Sequence, residues 1–151
     1  MLRRQGFTLV EMVMVLMIVV LVGMVAIPNW NNFLRSWDVD METKKLVTKI
    51  RDVQQNAMAE QKDYQIVFDS MADTYEVQRQ GTVGYDSVEG PDTFEHGIQV
   101  STNIMTPMTD TLRFDKFGAP AQGGGIFLTD SQGANSATVV VTPVTGRIQI
   151  Q

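Results

Sequence analysis

The sequence contains one almost unbroken apolar run, from Phe7 to Ile27, which constrains the fold more than any other feature. Within its 21 residues only Thr8, Glu11 and Gly23 are not hydrophobic. An α-helix of that length extends about 30 Å, which matches the hydrocarbon core of a bilayer. The run therefore predicts a single membrane-spanning helix over residues 7–28.

The six residues before the run form a short basic segment that contains Arg3 and Arg4. Basic flanks stay on the cytoplasmic side of a membrane, so the C-terminal part of the chain is predicted to lie outside the cytoplasm. A secretory signal would have a small-residue cleavage site after its apolar core, and the sequence after Ile27 has none. Removal of the helix at that end is therefore not expected.

Glu11 is the one ionisable residue inside the apolar run. A carboxylate at that depth costs about 2.5 kcal/mol or more unless it finds a partner, so Glu11 needs a cation. With the residues before it, in the segment Gly6-Phe7-Thr8-Leu9-Val10-Glu11, it resembles the prepilin signature of type IV pilins and type II secretion pseudopilins.

This resemblance implies several processing and assembly steps. Residues 1–6 would be a leader that a prepilin peptidase removes between Gly6 and Phe7, and the new Phe7 amine would be methylated. Glu11 would pair with the N-terminal amine of a neighbouring subunit. The physics agrees, because a buried carboxylate and a buried amine are each costly alone. The alternative is an uncleaved single-pass anchor in which Glu11 occurs by chance.

Pro28 directly follows the apolar run. Proline removes one backbone donor and clashes with the preceding turn, so a kink or local melting of the helix is expected there. A proline at this point also resembles the family pattern, which implies a role in assembly. Residues 29–62 are predicted to continue as an amphipathic helix. Its apolar residues recur at three- and four-residue steps: Trp30, Phe33, Leu34, Trp37, Met41, Leu46, Val47, Ile50, Val53, Ala57 and Met58.

After residue 62 the pattern changes to short β-like runs separated by turn residues, which predicts a β-rich head over residues 63–151. Gly81 to His96 is acidic and rich in turn residues, and it is interpreted as a surface loop. Gly118 to Gly125 is interpreted as a second loop, whose glycines form no phosphate-binding fingerprint because no helix follows them. The predicted strands are Tyr64–Phe68, Thr74–Gln78, Ile98–Ser101, Thr111–Phe114, Gly125–Thr129, Ala137–Thr142 and Arg147–Ile150.

The head contains four segments with spaced strand patterns, which are Leu112–Gly118, Ile126–Thr129, Thr138–Val141 and Thr145–Ile150. These segments are similar to the H-type pseudopilins of type II secretion and to related minor pilins. The similarity implies an α+β fold in which a long N-terminal helix packs on a small antiparallel head of two sheets. Major pilins often close their heads with a disulfide, whereas this chain has no cysteine, which favours a minor pilin or a pseudopilin.

The sequence offers little for catalysis. His96 is the only histidine, and no G-x-S-x-G element accompanies it, so neither an enzyme nor a small-molecule substrate is predicted. Asp86, Glu89, Asp92 and Glu95 offer oxygen ligands suited to calcium but lack EF-hand spacing, so calcium binding in this acidic loop stays open. No cofactor and no dedicated metal site are predicted.

These features predict a structural subunit of a filament. The chain would be a minor pseudopilin or minor pilin that helps to initiate, or forms the tip-proximal part of, a type II secretion pseudopilus or type IV pilus. The resemblance implies that its partners are other pilins or pseudopilins, the prepilin peptidase and an inner-membrane assembly platform. It also implies a single pass through the bacterial inner membrane, with the head in the periplasm.

The alternative is a DNA-binding minor pilin of natural transformation. Some relatives bind DNA through a Gly-Arg-x-Arg motif near the C-terminus, and the matching stretch here has Gly146 and Arg147 but lacks the second arginine. From Tyr64 onward the head has four Lys or Arg residues against ten Asp or Glu residues, a net charge of −6. Phosphate binding depends on cationic side chains, so nucleic acid is disfavoured and Arg147 is the candidate for a weak contact.

Overall fold

The structure is a computed structural model that describes residues 7–104, 110–143 and 145–151, without the side chains of residues 26–29. Its first element, α1, is a helix of 52 residues, Leu9–Glu60, so the helix begins two residues after its predicted start. The helix continues through position 28, so the local melting expected there is not observed. One missing donor leaves the hydrogen bonds of the flanking turns in place. The proposed leader, with Gly6, lies outside the described residues.

The chain divides into two compact units, of which the first ends at Arg35 and the second is Ser36–Gln151. The described part of the first unit is almost entirely helical and buries none of its large apolar side chains. Among the side chains that the structure describes, the buried core residues all come from the second unit, beginning with Val39. The predicted divisions at 28/29 and 62/63 concern function and stay predictions.

After α1, the described residues of the second unit form eight antiparallel strands in two four-stranded sheets. The strands are β1 Tyr64–Asp69, β2 Thr74–Gln80, β3 Tyr85–Thr93, β4 Gln99–Thr102, β5 Thr111–Phe114, β6 Gly124–Thr129, β7 Ser136–Val141 and β8 Ile148–Ile150, and a short 3-10 turn, Glu95–Gly97, precedes β4. The first sheet has the order β3-β2-β1-β5 and the second the order β4-β6-β7-β8. The predicted α+β fold with two small sheets is confirmed.

The amphipathic half of α1 supplies one wall of the core. Its buried residues follow the three- and four-residue steps of a helix face, which confirms the predicted pattern from Leu46 to Ala57. The other residues of the predicted apolar face are exposed, and they are Trp30, Phe33, Leu34, Trp37, Met41 and Met58. Alternate residues of the central strands supply the other walls, because successive side chains of a strand point to opposite faces of its sheet. The fully buried residues include Leu46, Ile50, Val53 and Ala57 from α1, Ile66, Leu112 and Phe114 from the first sheet, and Ile126, Leu128 and Val139 from the second.

The prediction of a surface loop over residues 81–96 is wrong, because β3 occupies most of it. β3 is an edge strand that pairs only with β2, and its register shifts twice. Nearly all of its residues are exposed, so no face selects apolar residues and no alternation is visible in the sequence. Gly90 and Pro91 within it are typical of edge strands, where they hinder pairing with a further strand.

Gly124 opens β6 at a point where the chain passes very close to residue 104. A Cβ added there would lie 2.6 Å from Ile104 Cα and 3.0 Å from Ile104 N. Both are backbone atoms that cannot rotate away, so Gly124→Ala should destabilise the head by about 1–3 kcal/mol. Gly90→Ala is the matched control, since its Cβ would meet nothing within 4 Å. Thermal melting of the full chain in detergent micelles, followed by near-UV circular dichroism, would show equal melting points if this explanation is wrong.

Candidate assembly surface

The N-terminal half of α1 is an apolar surface that the chain itself does not cover. Its most apolar 18-residue window has a mean hydropathy of 2.9 and no buried residue, so by length and composition it can cross a membrane. The large apolar side chains from Leu9 to Val25 are between 49% and 80% exposed. An apolar surface of this size marks a site of contact with lipid or with other protein segments.

Thr8 and Glu11 begin this helix with the pattern of a capping box. The backbone N–H of Glu11 donates to Oγ1 of Thr8 over 3.3 Å, which satisfies one of the free donors of the first turn. A carboxylate in the first turn is also favoured by the helix dipole. The sequence signal, threonine followed three residues later by glutamate, was present but not recognised. The structure therefore assigns Thr8 a role in helix initiation, as the residue whose side chain caps the first turn.

The side chain of Glu11 is exposed and forms no hydrogen bond or ion pair with any residue that the structure describes. Phe7, at the predicted cleavage point, is 78% exposed. The cap uses the backbone of Glu11, so its carboxylate stays available for a partner outside the described chain. This arrangement is compatible with a pairing between Glu11 and an amine of another subunit.

Two lysines of α1 attach the edge strand β3 and the turn after it to the helix. Lys49 Nζ lies 2.6 Å from Glu89 Oε2, and this hydrogen bond raises the pKa of Lys49. Lys45 Nζ lies 2.6 Å from Glu42 Oε1 and 3.4 Å from Glu95 Oε2. The hydrogen bond with Glu42 is the main cause that raises the pKa of Lys45. Two of the four carboxylates considered for calcium are therefore already paired with ammonium groups.

The acidic residues of this segment do not converge as a calcium site. Within the described residues, the one group of three potential metal ligands is Glu42, Glu95 and His96, whose ligand atoms lie within 4.8 Å of one another. This group was not predicted, because Glu42 belongs to α1 and lies far from Glu95 and His96 in the sequence. The Lys45 ammonium lies between the two carboxylates and bonds to both, so the arrangement has a structural explanation. His96 is exposed, as predicted for a solvated histidine.

The Gly-Arg pair near the C-terminus has a structural explanation as well. Gly146 is buried with a φ of +63°, and an added Cβ would lie 2.6 Å from Nε2 of Gln54. Glycine is the residue that adopts this backbone conformation without strain. Arg147 is exposed, so its guanidinium is free to contact a partner, although the glycine before it is explained by packing alone.

The chain resembles known proteins in its fold and not in its sequence. No family model matches the sequence, and no curated protein matches it. Two solved structures of the minor pseudopilin EpsH, from the type 2 secretion system of Vibrio cholerae, match the fold with a TM-score of 0.65 each. The chain has a pseudopilin fold. The two matches have 10% and 8% sequence identity, and they cover 76% and 77% of this chain and 96% and 97% of EpsH.

The pseudopilin fold confirms the resemblance inferred from the four head segments, at the level of architecture. At identities of 8–10% the likeness is one of fold, since so few shared residues do not carry a site from one protein to the other. Function must therefore be argued from the chain's own features, which are the uncovered apolar helix, its single carboxylate and the surface of the head.

Proposed function

We propose that this chain is a structural subunit of a pilus-like filament, a minor pseudopilin or minor pilin that helps to initiate the filament or forms its tip-proximal part. The observation that carries the proposal is the combination of a pseudopilin-fold head with an uncovered apolar helix. The first turn of this helix is capped by Thr8 and contains Glu11. The head alone is compatible with many functions. The helix with one uncompensated carboxylate is difficult to explain unless another subunit supplies the cation.

The proposed mechanism has two stages in which the same helix changes its surroundings. In the membrane, lipid covers the apolar side chains of α1, and the head lies in the periplasm. After a prepilin peptidase has removed residues 1–6, an inner-membrane platform moves the subunit into the filament, where helices of neighbouring subunits replace the lipid. Pairing of Glu11 with the Phe7 amine of the adjacent subunit sets the register, because neither charge is stable alone in an apolar core.

Recovery of the subunit in filaments tests the proposal. A tagged full-length chain should appear in the filament fraction sheared from cells that contain the assembly platform. In cells without the platform ATPase, the same chain should stay in the membrane fraction. Equal amounts in the membrane and none in the sheared fraction of both strains would identify a tethered protein instead of an assembling one.

The two compact units lead to a further prediction about the head. Removal of residues 1–29 should yield a monomeric, folded fragment, because the uncovered apolar side chains before residue 26 are removed and every buried core residue is kept. A fragment that begins at Ser36 is the matched comparison and should fold equally well. Size-exclusion chromatography and thermal melting provide the measurement. Aggregation of both fragments would mean that the head depends on the removed segment or on a partner.

No catalytic activity is proposed, because the fold and the uncovered helix suggest assembly. The sequence has no G-x-S-x-G element that would supply a nucleophile to His96. The DNA-binding alternative has one observation in its favour, which is the exposure of Arg147 on the head. A gel-shift titration of the full chain with duplex DNA at low salt tests it. Binding that disappears in Arg147→Ala would favour this alternative.

A further inference from the structure

Trp30 and Phe33 form an exposed aromatic pair on α1, shortly after the apolar run ends at Ile27. Their ring centroids lie 6.2 Å apart at an interplanar angle of 42°, which is a tilted geometry that aromatic pairs favour. Trp30 is 64% exposed and Phe33 is 54% exposed, so their contact covers only part of each ring. The two rings therefore present an apolar surface that lies beyond the predicted hydrocarbon span.

The helical rise fixes the position of this aromatic pair along α1. Trp30 follows Ile27 by three residues, so its Cα lies about 4.5 Å farther along the helix axis. The Cα of Phe33 lies about 9 Å beyond Ile27, but helical side chains point toward the N-terminus, which brings the ring back toward the level of Trp30. If the apolar run fills the hydrocarbon core, both rings lie in the headgroup layer, which is about 5–7 Å thick on each side of a bilayer.

The two residues between the aromatic rings are incompatible with a deeper position. Asn31 and Asn32 are exposed, and their carboxamides would lack hydrogen-bond partners in hydrocarbon. A shallower position, in bulk water, would leave the rings of Trp30 and Phe33 without apolar cover. The headgroup layer offers both apolar carbons and polar groups, so it suits all four side chains.

Trp30 also has a hydrogen-bond donor that lacks a partner. Its indole N–H donates to no residue that the structure describes. Tryptophan is enriched at membrane–water interfaces because one end of its ring is apolar and the other is polar. The apolar run of a neighbouring copy would cover the ring but offers few acceptors, since only Thr8 and Glu11 in that run have side-chain oxygens. Phospholipids have ester carbonyl and phosphate oxygens at the required depth, which favours lipid over a second helix.

We propose that Trp30 and Phe33 form a binding surface for phospholipid headgroups that fixes the depth of α1 in the bilayer. The rings pack on the glycerol and the upper acyl carbons, and the indole N–H donates to an ester carbonyl or phosphate oxygen. The proposal rests on the membrane stage of the proposed function, which supplies the bilayer. Its consequence is that a subunit leaves the membrane only when these contacts are broken together with those of the apolar run.

Depth-dependent fluorescence quenching of the full-length chain tests the location. The sequence has two tryptophans, so Trp37→Phe leaves Trp30 as the sole reporter. The chain is reconstituted in vesicles of phosphatidylethanolamine and phosphatidylglycerol with brominated acyl chains. Bromine near the headgroup should quench Trp30 at least about threefold more than bromine near the chain ends. Leu16→Trp, in a chain with Trp30→Phe and Trp37→Phe, is the mid-span control and should show the opposite order.

Cysteine labelling tests whether the aromatic pair fixes the depth. The natural chain has no cysteine, and Val25→Cys places one just inside the predicted hydrocarbon boundary. Trp30→Ala with Phe33→Ala removes the surface that holds this segment at the interface, so the segment should move toward water. A membrane-impermeant maleimide should then label residue 25 at least about fivefold faster. Asn31→Ala with Asn32→Ala is the matched control and should label no faster than Val25→Cys alone.

Single substitutions of Trp30 separate the amphipathic ring from its apolar area. Trp30→Tyr keeps an amphipathic ring, so labelling of residue 25 should stay within about twofold of that in Val25→Cys alone. Trp30→Leu keeps apolar area but no donor, and labelling should rise several-fold. If Trp30→Leu labels as slowly as Trp30→Tyr, apolar area alone holds the segment and the headgroup hydrogen bond is rejected. Unchanged circular dichroism of each variant excludes misfolding as the cause.

Other outcomes would overturn the proposal as a whole. Equal labelling with and without the aromatic pair would mean that the pair does not set the depth. Trp30 quenched by acrylamide from the water, and by neither brominated lipid, would indicate a surface for a protein partner instead of lipid. Quenching at position 16 without quenching at position 30 would reject the aromatic surface and preserve the membrane stage. Absence of quenching at both positions would mean that the helix does not enter the bilayer, which contradicts the proposed function itself.

Discussion

Glu11→Ala is expected to abolish incorporation into filaments while leaving membrane insertion intact. In lipid the change removes a costly charge, so the variant should insert at least as well as the natural chain. In a filament it leaves the Phe7 amine of one subunit without its carboxylate partner. An unpaired buried charge costs about 3–5 kcal/mol, which corresponds to a hundredfold loss or more at equilibrium. The measurement compares the chain in the sheared filament fraction with its abundance in the membrane.

The cap that Thr8 provides at the Glu11 backbone requires a separate control. Thr8→Ala removes the side chain that accepts the Glu11 N–H but leaves the carboxylate unchanged. The loss of such a cap costs about 0.5–2 kcal/mol of helix stability, and the lipid-covered helix should tolerate it. Normal incorporation of Thr8→Ala beside failed incorporation of Glu11→Ala would assign the effect to charge. Equal losses in both variants would mean that helix initiation, and not pairing with an amine, explains the phenotype.

The helix and most of the strands could be predicted because their patterns are local. The apolar run and the helical spacing of Leu46, Ile50 and Val53 each specify one element, and that element buries or exposes whole faces. β3 could not be predicted in the same way, since an exposed edge strand selects neither apolar residues nor alternation. Its attachment to α1 through Lys49 and Glu89 depends on residues 40 positions apart, which no sequence pattern connects.

The short signature of Gly6, Phe7 and Glu11 stays a prediction from the sequence. The capping role of Thr8 was visible in the same six residues and was missed.

Processing at Gly6 should have the second large effect, because every later step of the proposed mechanism depends on it. With an active prepilin peptidase, the natural chain should lose the six residues Met1 to Gly6 and begin with a methylated Phe7, as measured by intact-mass spectrometry. Gly6→Phe should block cleavage almost completely, since the peptidase needs a small group beside the scissile bond. Gln5→Ala is the control and should be processed normally.

The two large predictions are connected through the amine that cleavage creates. An uncleaved chain has no amine at Phe7, so the Glu11 side chain of a neighbour has no partner there, and Gly6→Phe should be absent from filaments even when Glu11 is intact. The converse does not hold, because Glu11→Ala keeps its cleavage site and should be processed to the same length as the natural chain. A mature protein that still begins at Met1 beside an active peptidase would refute the prepilin interpretation. Incorporation of uncleaved Gly6→Phe at the natural level would instead show that Glu11 pairs with some other cation.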